Sequence, residues 1–360
     1  MNTVSVIIPL FNKRLYFEAC LNALLNQTVK PSEIIVVDDG STDGSLDFAH
    51  EQAARFENEP IAYRVIEREH LGVSAALNVG LDNATSTYVT RVDADDLVAS
   101  RWLETLLNQD IAHKPVNLRC LHTRVPEHAD FASVARLVNE QSAEDDSFSA
   151  LEISSGNVLY GRLFAEIDTN LMSSCGMLYV REELLRFDMR FCENLSHTED
   201  LLFNATLFAH NTPSIIINEP LYFYRQVPES LSKAPDSLFP SIALLEKKLD
   251  DLALHASTAT VAKAHRSEVL HYLCWYYSIA LLDEEKNRSK DPDYRERVEQ
   301  AQAHSNIDDV FERANEAGVT PALAGRLYSL LKNKQYAQLQ LAARTINVAR
   351  TIRRTFKTNS

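Results

Sequence analysis

The first hundred residues alternate between short apolar runs and longer amphipathic segments. The apolar runs lie at residues 4–9, 33–40, 61–68 and 86–93, and β-branched residues are common in them. The segments between them, 14–26, 45–56 and 73–83, place apolar side chains at helical spacing. Strands that are apolar on both faces, each followed by a helix, are typical of a parallel sheet covered by helices. The pattern predicts a doubly wound, Rossmann-like α/β domain with a mostly parallel sheet.

The pattern changes further along the chain. Residues 126–150 are polar and irregular, which predicts an insertion or a mobile loop. Strands are predicted again at 171–180, 214–218 and 221–225, with a helix at 199–210. Helical segments then follow one another at 239–254, 261–284, 294–316, 321–332 and 335–356. We therefore predict an α/β domain at 1–235 and an α-helical domain at 236–360.

Cysteine use and apolar content indicate where the protein works. The five cysteines are odd in number and include no C-x-x-C pair, which argues against a disulfide framework or a structural zinc site. The N-terminus becomes polar too early for a signal peptide, and the longest apolar stretch, 269–282, is too short to span a bilayer. These features predict a cytoplasmic protein.

The net charge of −14 is distributed unevenly. Residues 317–360 hold eight Lys or Arg and no Asp or Glu, which leaves about −22 on residues 1–316. An acidic body disfavours a nucleic-acid partner. The basic tail, with an apolar stripe over 335–357, predicts contact with an anionic membrane surface, on the inner face of the cytoplasmic membrane. The alternative is a helix packed on its own domain or in a homo-oligomer, and both interpretations stay open.

Polar side chains follow the first four predicted strands at the points where they end. Because the carboxyl ends of parallel strands meet at one edge of the sheet, where such folds bind ligands, we expect these side chains to converge. They are Asn12, Asp38, Asp39, Arg68, Asp93 and Asp95.

Asp93 and Asp95 are candidates for a metal site. No Gly-rich phosphate loop follows the first strand, so a bound diphosphate needs another partner, and Mg²⁺ or Mn²⁺ held by carboxylates is the usual one. D-x-D alone is a weak signal, because residues 291–293 form another in a charged connector. Position favours 93–95, which follow a buried strand. Asp96 is predicted to cap the next helix.

Five ordered motifs over residues 3–105 resemble one family. They are VSVIIPLFNK, LNALLNQT, EIIVVDDGSTDGS, GVSAALNVGL and RVDADD. At this spacing they resemble the nucleotide-sugar-binding half of the family 2 glycosyltransferases, which have the GT-A fold. A weaker resemblance continues through 186–203 and 222–232. It implies a nucleotide-sugar half at 1–112 and an acceptor and catalytic half at 113–235.

The resemblance also implies roles for individual donor-binding residues. Asp39 would pair with the uracil N–H, and Asp93 would approach the ribose or the donor sugar. Asp95, with Asp93, would hold Mn²⁺ or Mg²⁺ against the diphosphate. The last three residues of the following list belong to a segment that resembles a lid over the diphosphate. The other implied donor-binding positions are Pro9, Leu10, Asn12, Asp38, Ser41, Asn78, Arg225, Ser230 and Ser232.

A pair of acids matches the catalytic position of the family. Asp200, in the motif TED, corresponds to the catalytic base, and Glu199 beside it is left to orient the acceptor or cap the helix. An attacking sugar hydroxyl must lose its proton as the new bond forms, and a positioned carboxylate can accept it. From the residues alone, the pair also fits ordinary acids at a helix N-terminus, which the helix dipole favours.

Three positions depart from the family pattern. His70 stands where the family has Asn, and Leu77 where it has Arg, so that Arg68 is the suggested replacement cation. Val227 stands where many relatives carry a His, which argues against a metal contact from that loop.

Together, the residues and the resemblance predict an inverting, metal-dependent glycosyltransferase. It would move a sugar from a UDP-sugar to a hydroxyl of a glycan or lipid-linked acceptor, in the synthesis of lipopolysaccharide, capsule or a similar polysaccharide. One alternative is a catalytically degenerate nucleotide-binding scaffold, against which the four acids Asp39, Asp93, Asp95 and Asp200 argue. Another is a sugar-nucleotide nucleotidyltransferase, which needs a Gly-rich loop where this chain has PLFNKR.

Overall fold

The computed structural model describes residues 2–109, 115–129, 151–167, 169–195, 197–227, 238–286, 294–303, 305–343 and 345–346. Contacts divide the chain into two compact units. The first unit comprises Met1–Leu159 and Asp168–Leu231, and the second comprises Tyr160–Ile167 and Ser232–Ser360. The first unit carries the sheet, and the second is helical in its described residues. The predicted α/β class with a helical C-terminal region is confirmed.

The first half of the first unit is a parallel βα array. Its strands are β1 (Val4–Leu10), β2 (Glu33–Asp38), β3 (Ala62–Glu67) and β4 (Tyr88–Arg91), ordered β3-β2-β1-β4 with every pair parallel. The helices between them are α1 (Arg14–Leu25), α2 (Ser45–Glu51), α3 (Ala53–Phe56) and α4 (Val73–Asn83). The elements predicted here are confirmed, except that the helix predicted at 45–56 is interrupted at Gln52.

Burial explains why these strands read as continuous apolar runs. Every residue of β2 is buried, and so is all of β1 except Pro9, whereas β3 at the sheet edge is partly exposed. Helix α4 packs closely on β1, because a Cβ on Gly80 would lie 2.3 Å from the Ile7 side chain. A larger residue would push α4 away from the strand that leads into the site.

The second half of this unit makes the sheet mixed. Its elements are β5 (Leu97–Val98), α5 (Trp102–Leu107), β6 (Asn117–Pro126), β7 (Leu151–Ser154), α6 (Gly156–Ala165), α7 (Thr169–Met172), β8 (Met177–Val180), α8 (Arg181–Arg186), α9 (Glu199–Ala209) and β9 (Ser214–Gln226). The part of α6 from Tyr160 onward belongs to the second unit. The order continues from β4 through β8, β6 and β9 to β5, with β7 also on β9. Only β6–β9 is parallel among these described pairs.

Several predictions for this half were wrong in detail. The strand predicted at 171–180 is only β8, because residues 169–172 are helical, and the strands predicted at 214–218 and 221–225 are one strand, β9. Strands β5, β6 and β7 were not predicted. The insertion predicted at 126–150 lies outside the described residues beyond position 129.

The second unit is built from helices. They are α10 (Phe239–Leu254), α11 (Ala259–Ala264), α12 (Arg266–Lys286), α13 (Tyr294–Ala303), α14 (Ile307–Glu316) and α15 (Ala322–Lys332), with further helix at 336–343 and 345–346. The single helix predicted at 294–316 is two helices. Ser305 and Asn306 lie at the break, and short polar side chains of this kind favour helix ends. The helix predicted at 261–284 is likewise divided between α11 and α12.

The C-terminal tail is described only in its first part. Leu339, which opens the apolar stripe predicted to face a membrane, is fully buried, whereas Leu341 is exposed. The remainder of the predicted tail helix, from residue 347, lies outside the described residues. Within the part of the chain that is described, no helix has the length and apolar character needed to cross a membrane.

Candidate active site

The loops after β1 and β2 are tied together by side chains. Asn12 has left-handed backbone (φ 51°); its Oδ1 accepts the Thr42 N–H at 2.8 Å and its own N–H donates to Ser41 Oγ at 3.0 Å. Asp38 is buried, and its Oδ2 accepts the N–H groups of Gly40 (3.1 Å) and Ser41 (3.0 Å). These three predicted nucleotide-site residues therefore shape the loops. Asp38 Oδ1 is buried and has no hydrogen-bond partner among the described residues.

Pro9 and Leu10 contribute to the same edge mainly through the main chain. The Leu10 side chain is buried in the core, and its carbonyl accepts the Asp39 N–H at 2.8 Å. Pro9 is half-buried. The two strands thus end in register, with Asp39 held directly beyond them.

Asp39 is buried and surrounded by donors from the loop after β3. Its Oδ1 accepts the Leu71 N–H at 3.1 Å, and its Oδ2 accepts the Gly72 N–H at 2.8 Å. Arg68 Nε lies 3.3 Å from Oδ1, and His70 Nδ1 lies 2.8 Å from Oδ2. Arg68 therefore brings a cation to this carboxylate.

Asp95 faces a lysine. Lys13 Nζ lies 2.7 Å from Asp95 Oδ2, and both side chains are mostly buried. Burial raises the pKa of Asp95 above its ordinary value and nearby Asp93 adds to this, although Lys13 acts in the opposite direction. The carboxylate is thus one that gains from a bound cation, and in the free protein the ammonium of Lys13 supplies it.

Arg91 joins two acids that are far apart in the sequence. It is nearly buried at the end of β4, and its Nε and Nη2 donate to Asp93 at 3.0 and 2.8 Å. Its Nη1 donates to Asp200 Oδ1 at 2.6 Å and to Ser174 Oγ at 3.1 Å. Although burial lowers the pKa of Arg91, the charges of Asp200 and Asp93 raise it well above its ordinary value. One guanidinium therefore holds Asp93 and Asp200, the predicted base, in fixed positions.

Asp200 accepts two further hydrogen bonds from one residue. Ser174 Oγ donates to Oδ1 at 2.8 Å, and the Ser174 N–H donates to Oδ2 at 3.2 Å. Each oxygen of an ionised carboxylate has about two acceptor positions, so Oδ2 keeps capacity for one more donor. A sugar hydroxyl could use that position.

Glu199 lies beside Asp200 at the start of α9. The preceding residue, Thr198, has φ 66°, a conformation that is strained for a β-branched side chain and turns the chain sharply into the helix. Burial, followed by the charge of Asp200, raises the pKa of Glu199 from 4.5 to about 7, while Arg91 lowers it. A carboxyl group with this pKa exchanges protons readily at neutral pH.

Asp96 supports the acidic loop and does not cap a helix as predicted. It is fully buried, its Oδ2 accepts the Tyr222 hydroxyl at 2.7 Å, and its Oδ1 accepts the Arg225 N–H at 2.8 Å. Burial, then Asp93 and Asp95, raises its pKa well above the ordinary value. The helix α5 begins only at Trp102.

Arg225 holds main-chain carbonyls around this loop. Its Nε donates to the carbonyl of Asp95 at 2.7 Å, and its Nη1 donates to those of Glu127 and Ala129 at 2.6 and 2.5 Å. Its Nη2 is buried without a partner among the described residues. Ser230 and Ser232, predicted to act with it as a lid, lie outside the described residues.

Asn78 is engaged away from these acids. Its amide donates to the Phe191 carbonyl and to Glu193, both at 3.0 Å, and accepts the Phe191 N–H at 2.9 Å. Asn78 therefore anchors the segment that precedes α9.

Two sets of side chains in the acidic loop and its surroundings are candidates for holding a metal ion. Among the described residues, the ligand atoms of Asp93, Asp96 and Cys175 lie within 4.8 Å of one another. This set fits poorly, because both Asp96 oxygens accept hydrogen bonds and burial raises the pKa of the Cys175 thiol well above its ordinary value. Asp95 fits a hard cation better, since it is a carboxylate that already pairs with the positive charge of Lys13. Asp93 is a second carboxylate two residues away, and Arg91 holds both of its oxygens.

Some site residues were not predicted from the sequence. Lys13 directly follows Asn12 in the motif PLFNK, and Arg91 lies two residues before Asp93, so a cation close to the acids was the available signal. Ser174 and Tyr222 come from β8 and β9 regions whose pairing with β4 and β5 no local pattern reports. These residues supply most of the partners of the acidic cluster.

This fold and this edge of acids define an α/β protein of the GT-A type. The family described as "Glycosyl transferase family 2" matches residues 5–128. This match covers about a third of the chain and agrees with the resemblance that the sequence motifs carry.

Individual relatives agree with this assignment. A protein of Bacillus subtilis (strain 168) named "Uncharacterized glycosyltransferase EpsJ" is 29% identical over 238 residues, which cover 64% of this chain and 63% of that protein, slightly less than two thirds of its length. Among solved structures, S. aureus TarS 1-349 in complex with UDP-GlcNAc has a TM-score of 0.68 at 18% identity, covering 96% of this chain and 92% of that one. The mannosyltransferase PcManGT from Pyrobaculum calidifontis, in complex with GDP-Man and Mn²⁺, has a TM-score of 0.51 at 16% identity, covering 96% and 87%. At these identities the structures support the fold.

Proposed function

We propose that the protein is an inverting, metal-dependent glycosyltransferase that moves a sugar from a UDP-sugar to a hydroxyl group. One observation carries the proposal: Arg91 holds Asp93, at the end of a parallel strand, and Asp200, at the start of α9, with contacts of 2.6–3.0 Å. A donor-side acid and a candidate base, 107 positions apart, thus share one edge of the sheet. The TarS complex with UDP-GlcNAc supports a nucleotide-sugar donor.

The donor would bind across the strand ends. The nucleobase would hydrogen-bond to Asp39, within the loops shaped by Asn12, Asp38 and Ser41. The ribose or the donor sugar would lie near Asp93. The diphosphate would face Asp95 and Lys13. Four further positions of the family pattern would lie on the donor side: Asn78, Arg225, Ser230 and Ser232. Asn78 and Arg225 would act there by supporting the main chain.

A divalent cation, Mn²⁺ or Mg²⁺, would be held by Asp95 with Asp93. When bound, it would neutralise charge on the departing diphosphate. The structure of PcManGT in complex with GDP-Man and Mn²⁺ supports this choice. In this chain, Lys13 must release Asp95 for the cation, and its ammonium can then turn to the diphosphate.

Asp200 is the proposed base. Its hydrogen bonds from Arg91 and Ser174 fix its direction, and Oδ2 keeps capacity to accept the proton of an attacking hydroxyl. Inversion follows when one base lies opposite the leaving group. Glu199, with its pKa near 7, would hold the acceptor and take or release a proton beside Asp200.

A donor panel tests this proposal. UDP-, GDP- and CMP-sugars are incubated with Mn²⁺ and without acceptor, and thermal stabilisation and sugar release are measured. We expect UDP-sugars to stabilise the protein and to be hydrolysed slowly. Binding without hydrolysis or transfer would favour the degenerate scaffold. Release of pyrophosphate from a nucleoside triphosphate and a sugar phosphate would favour a nucleotidyltransferase.

The acceptor side and the location are proposed from the sequence. A glycan or lipid-linked acceptor of cell-surface polysaccharide synthesis fits a cytoplasmic enzyme whose basic tail rests on an anionic membrane. Liposome sedimentation at low salt tests the tail: the full-length chain should sediment with anionic vesicles, and a chain ending at residue 346 should not. Equal behaviour of both chains would leave the tail to packing or to a homo-oligomer.

A further inference from the structure

His70 makes three contacts that are unusual for an exposed histidine. Its ring stacks on Phe11, with centroids 4.1 Å apart and planes 20° from parallel. Its Nδ1 lies 3.0 Å from the main-chain oxygen of Asp39 and 2.8 Å from Oδ2 of the same residue. Both neighbours are oxygen acceptors, so Nδ1 carries the proton. Yet the side chain is 55% exposed, and Phe11 is 39% exposed.

These contacts are the ones that a nucleobase would need. A planar base with a ring N–H binds by stacking one face on an aromatic side chain and donating its N–H to a carboxylate. The imidazole of His70 stacks on Phe11, hydrogen-bonds to the main-chain oxygen of Asp39, and places Nδ1 2.8 Å from the Asp39 carboxylate. A histidine on an open surface can remain hydrated without stacking on an aromatic ring or contacting a buried acid. His70 makes both contacts.

Four nitrogen atoms surround the Asp39 carboxylate while the ring is in place. The carboxylate already accepts the N–H groups of Leu71 and Gly72, and Arg68 and His70 lie against its two oxygens. An ionised carboxylate offers about four acceptor positions. The N–H groups of Leu71 and Gly72 belong to a main-chain segment that packs tightly, since a Cβ on Gly40 would lie 3.1 Å from the main-chain nitrogen of His70. The exposed ring of His70 is the contact that can leave, by rotation about its own side-chain bonds.

We infer that His70 occupies the nucleobase position of the free protein and must swing out before a nucleotide binds. The inference rests on the proposed nucleotide site and deepens it. Nucleotide binding is then an exchange of one aromatic ring for another on Phe11 and Asp39. The apparent affinity equals the intrinsic affinity multiplied by the fraction of molecules in which the His70 ring has swung out. The association rate is reduced by the same factor.

His70→Ala tests the inference because it removes both contacts. An aromatic stack of ordinary strength predicts about 3- to 10-fold tighter binding in the variant. The gain should appear in the association rate measured by stopped flow, with the dissociation rate unchanged. Uridine should gain by the same factor as UDP, because the exchange concerns the base alone. His70→Phe, which keeps the stack and loses the N–H, should lie between wild type and His70→Ala.

His50→Ala is the matched control. His50 is also exposed and also pairs with an acid, Glu67, at 3.0 Å, but it lies outside the site, so its removal should leave UDP binding unchanged. If wild type binds UDP and His70→Ala binds it equally or more weakly, the inference is overturned and the proposed function stands. If no variant binds UDP or uridine at millimolar concentration, the proposed nucleotide site fails and the inference with it.

Discussion

Replacing Glu199 by Gln should stabilise the first unit at pH 8 and have little effect near pH 4.5. The pKa of Glu199 in the folded protein is about 7, compared with 4.5 for an ordinary glutamate. Between these pH values the folded state binds a proton that the unfolded state has lost. The contribution of the Glu199 carboxyl group to the free energy of unfolding is therefore fully present below pH 4.5 and is lost as the pH rises through 7. Gln cannot ionise and avoids this loss.

The size of the effect follows from the two pKa values. A shift from 4.5 to about 7 corresponds to about 3 kcal/mol, at about 1.4 kcal/mol per pKa unit. The positive end of the α9 helix dipole favours the ionised form by only about 0.3–1 kcal/mol. Burial and the neighbouring charge of Asp200 therefore outweigh the dipole at this helix N-terminus.

Urea unfolding at pH 5, 6, 7 and 8 measures the difference. The chain has two tryptophans, so a Trp275→Phe background leaves the buried Trp102 to report on the first unit alone. Glu182→Gln is the control, since Glu182 also lies in the first turn of a helix but is exposed. For Glu182→Gln, the difference in unfolding free energy from wild type should not increase comparably with pH. A Glu199→Gln difference that is constant from pH 5 to 8 would refute the reasoning.

Other predictions concern the cations of the site. Arg91→Met leaves two partly buried acids without their partner and should cost at most about 3–5 kcal/mol in urea unfolding. Most of this loss should be recovered when Asp93→Asn and Asp200→Asn are added, and a single variant as stable as wild type would contradict the prediction. Asp200→Asn alone should reduce transfer about 10²- to 10⁴-fold with UDP binding retained, and normal turnover would place the base elsewhere. Lys13→Met should raise the Mn²⁺ affinity of the nucleotide-free protein several-fold by calorimetry, since Asp95 is then unpaired; a lower affinity would show that Lys13 does not compete.

The sequence predicted the elements whose burial is local and repetitive. Strands β1, β2 and β4 are buried on both faces, so their composition alone identifies them, and α4 begins and ends where its apolar spacing does. Strand β6 escaped prediction because it alternates buried and exposed side chains only at its C-terminal end and carries Arg and His within it. Its length is fixed by pairing with β9, about a hundred residues away.

The site shows the same division between local and distant information. The position of Asp39 and Asp95 beyond their strands followed from where the strands end. The partners of the site acids did not follow from it, because they arrive through the packing of separate elements. Lys13 reaches Asp95, Ser174 reaches Asp200, and Tyr222 reaches Asp96. The different task of Asp96 likewise depends on β9 lying next to the acidic loop.

The acids of this edge share one property that bears on affinity. Three of them already pair with a group of the chain: Asp95 with Lys13, Asp93 with Arg91, and Asp39 with His70. A ligand that reaches these acids exchanges one contact for another, so its net gain is smaller than the sum of the contacts it forms. The same arrangement keeps buried carboxylates from standing unpaired in the free protein, which would be strongly destabilising. Weak binding of the nucleotide alone is therefore expected of this site, with the cation and the acceptor supplying the remainder.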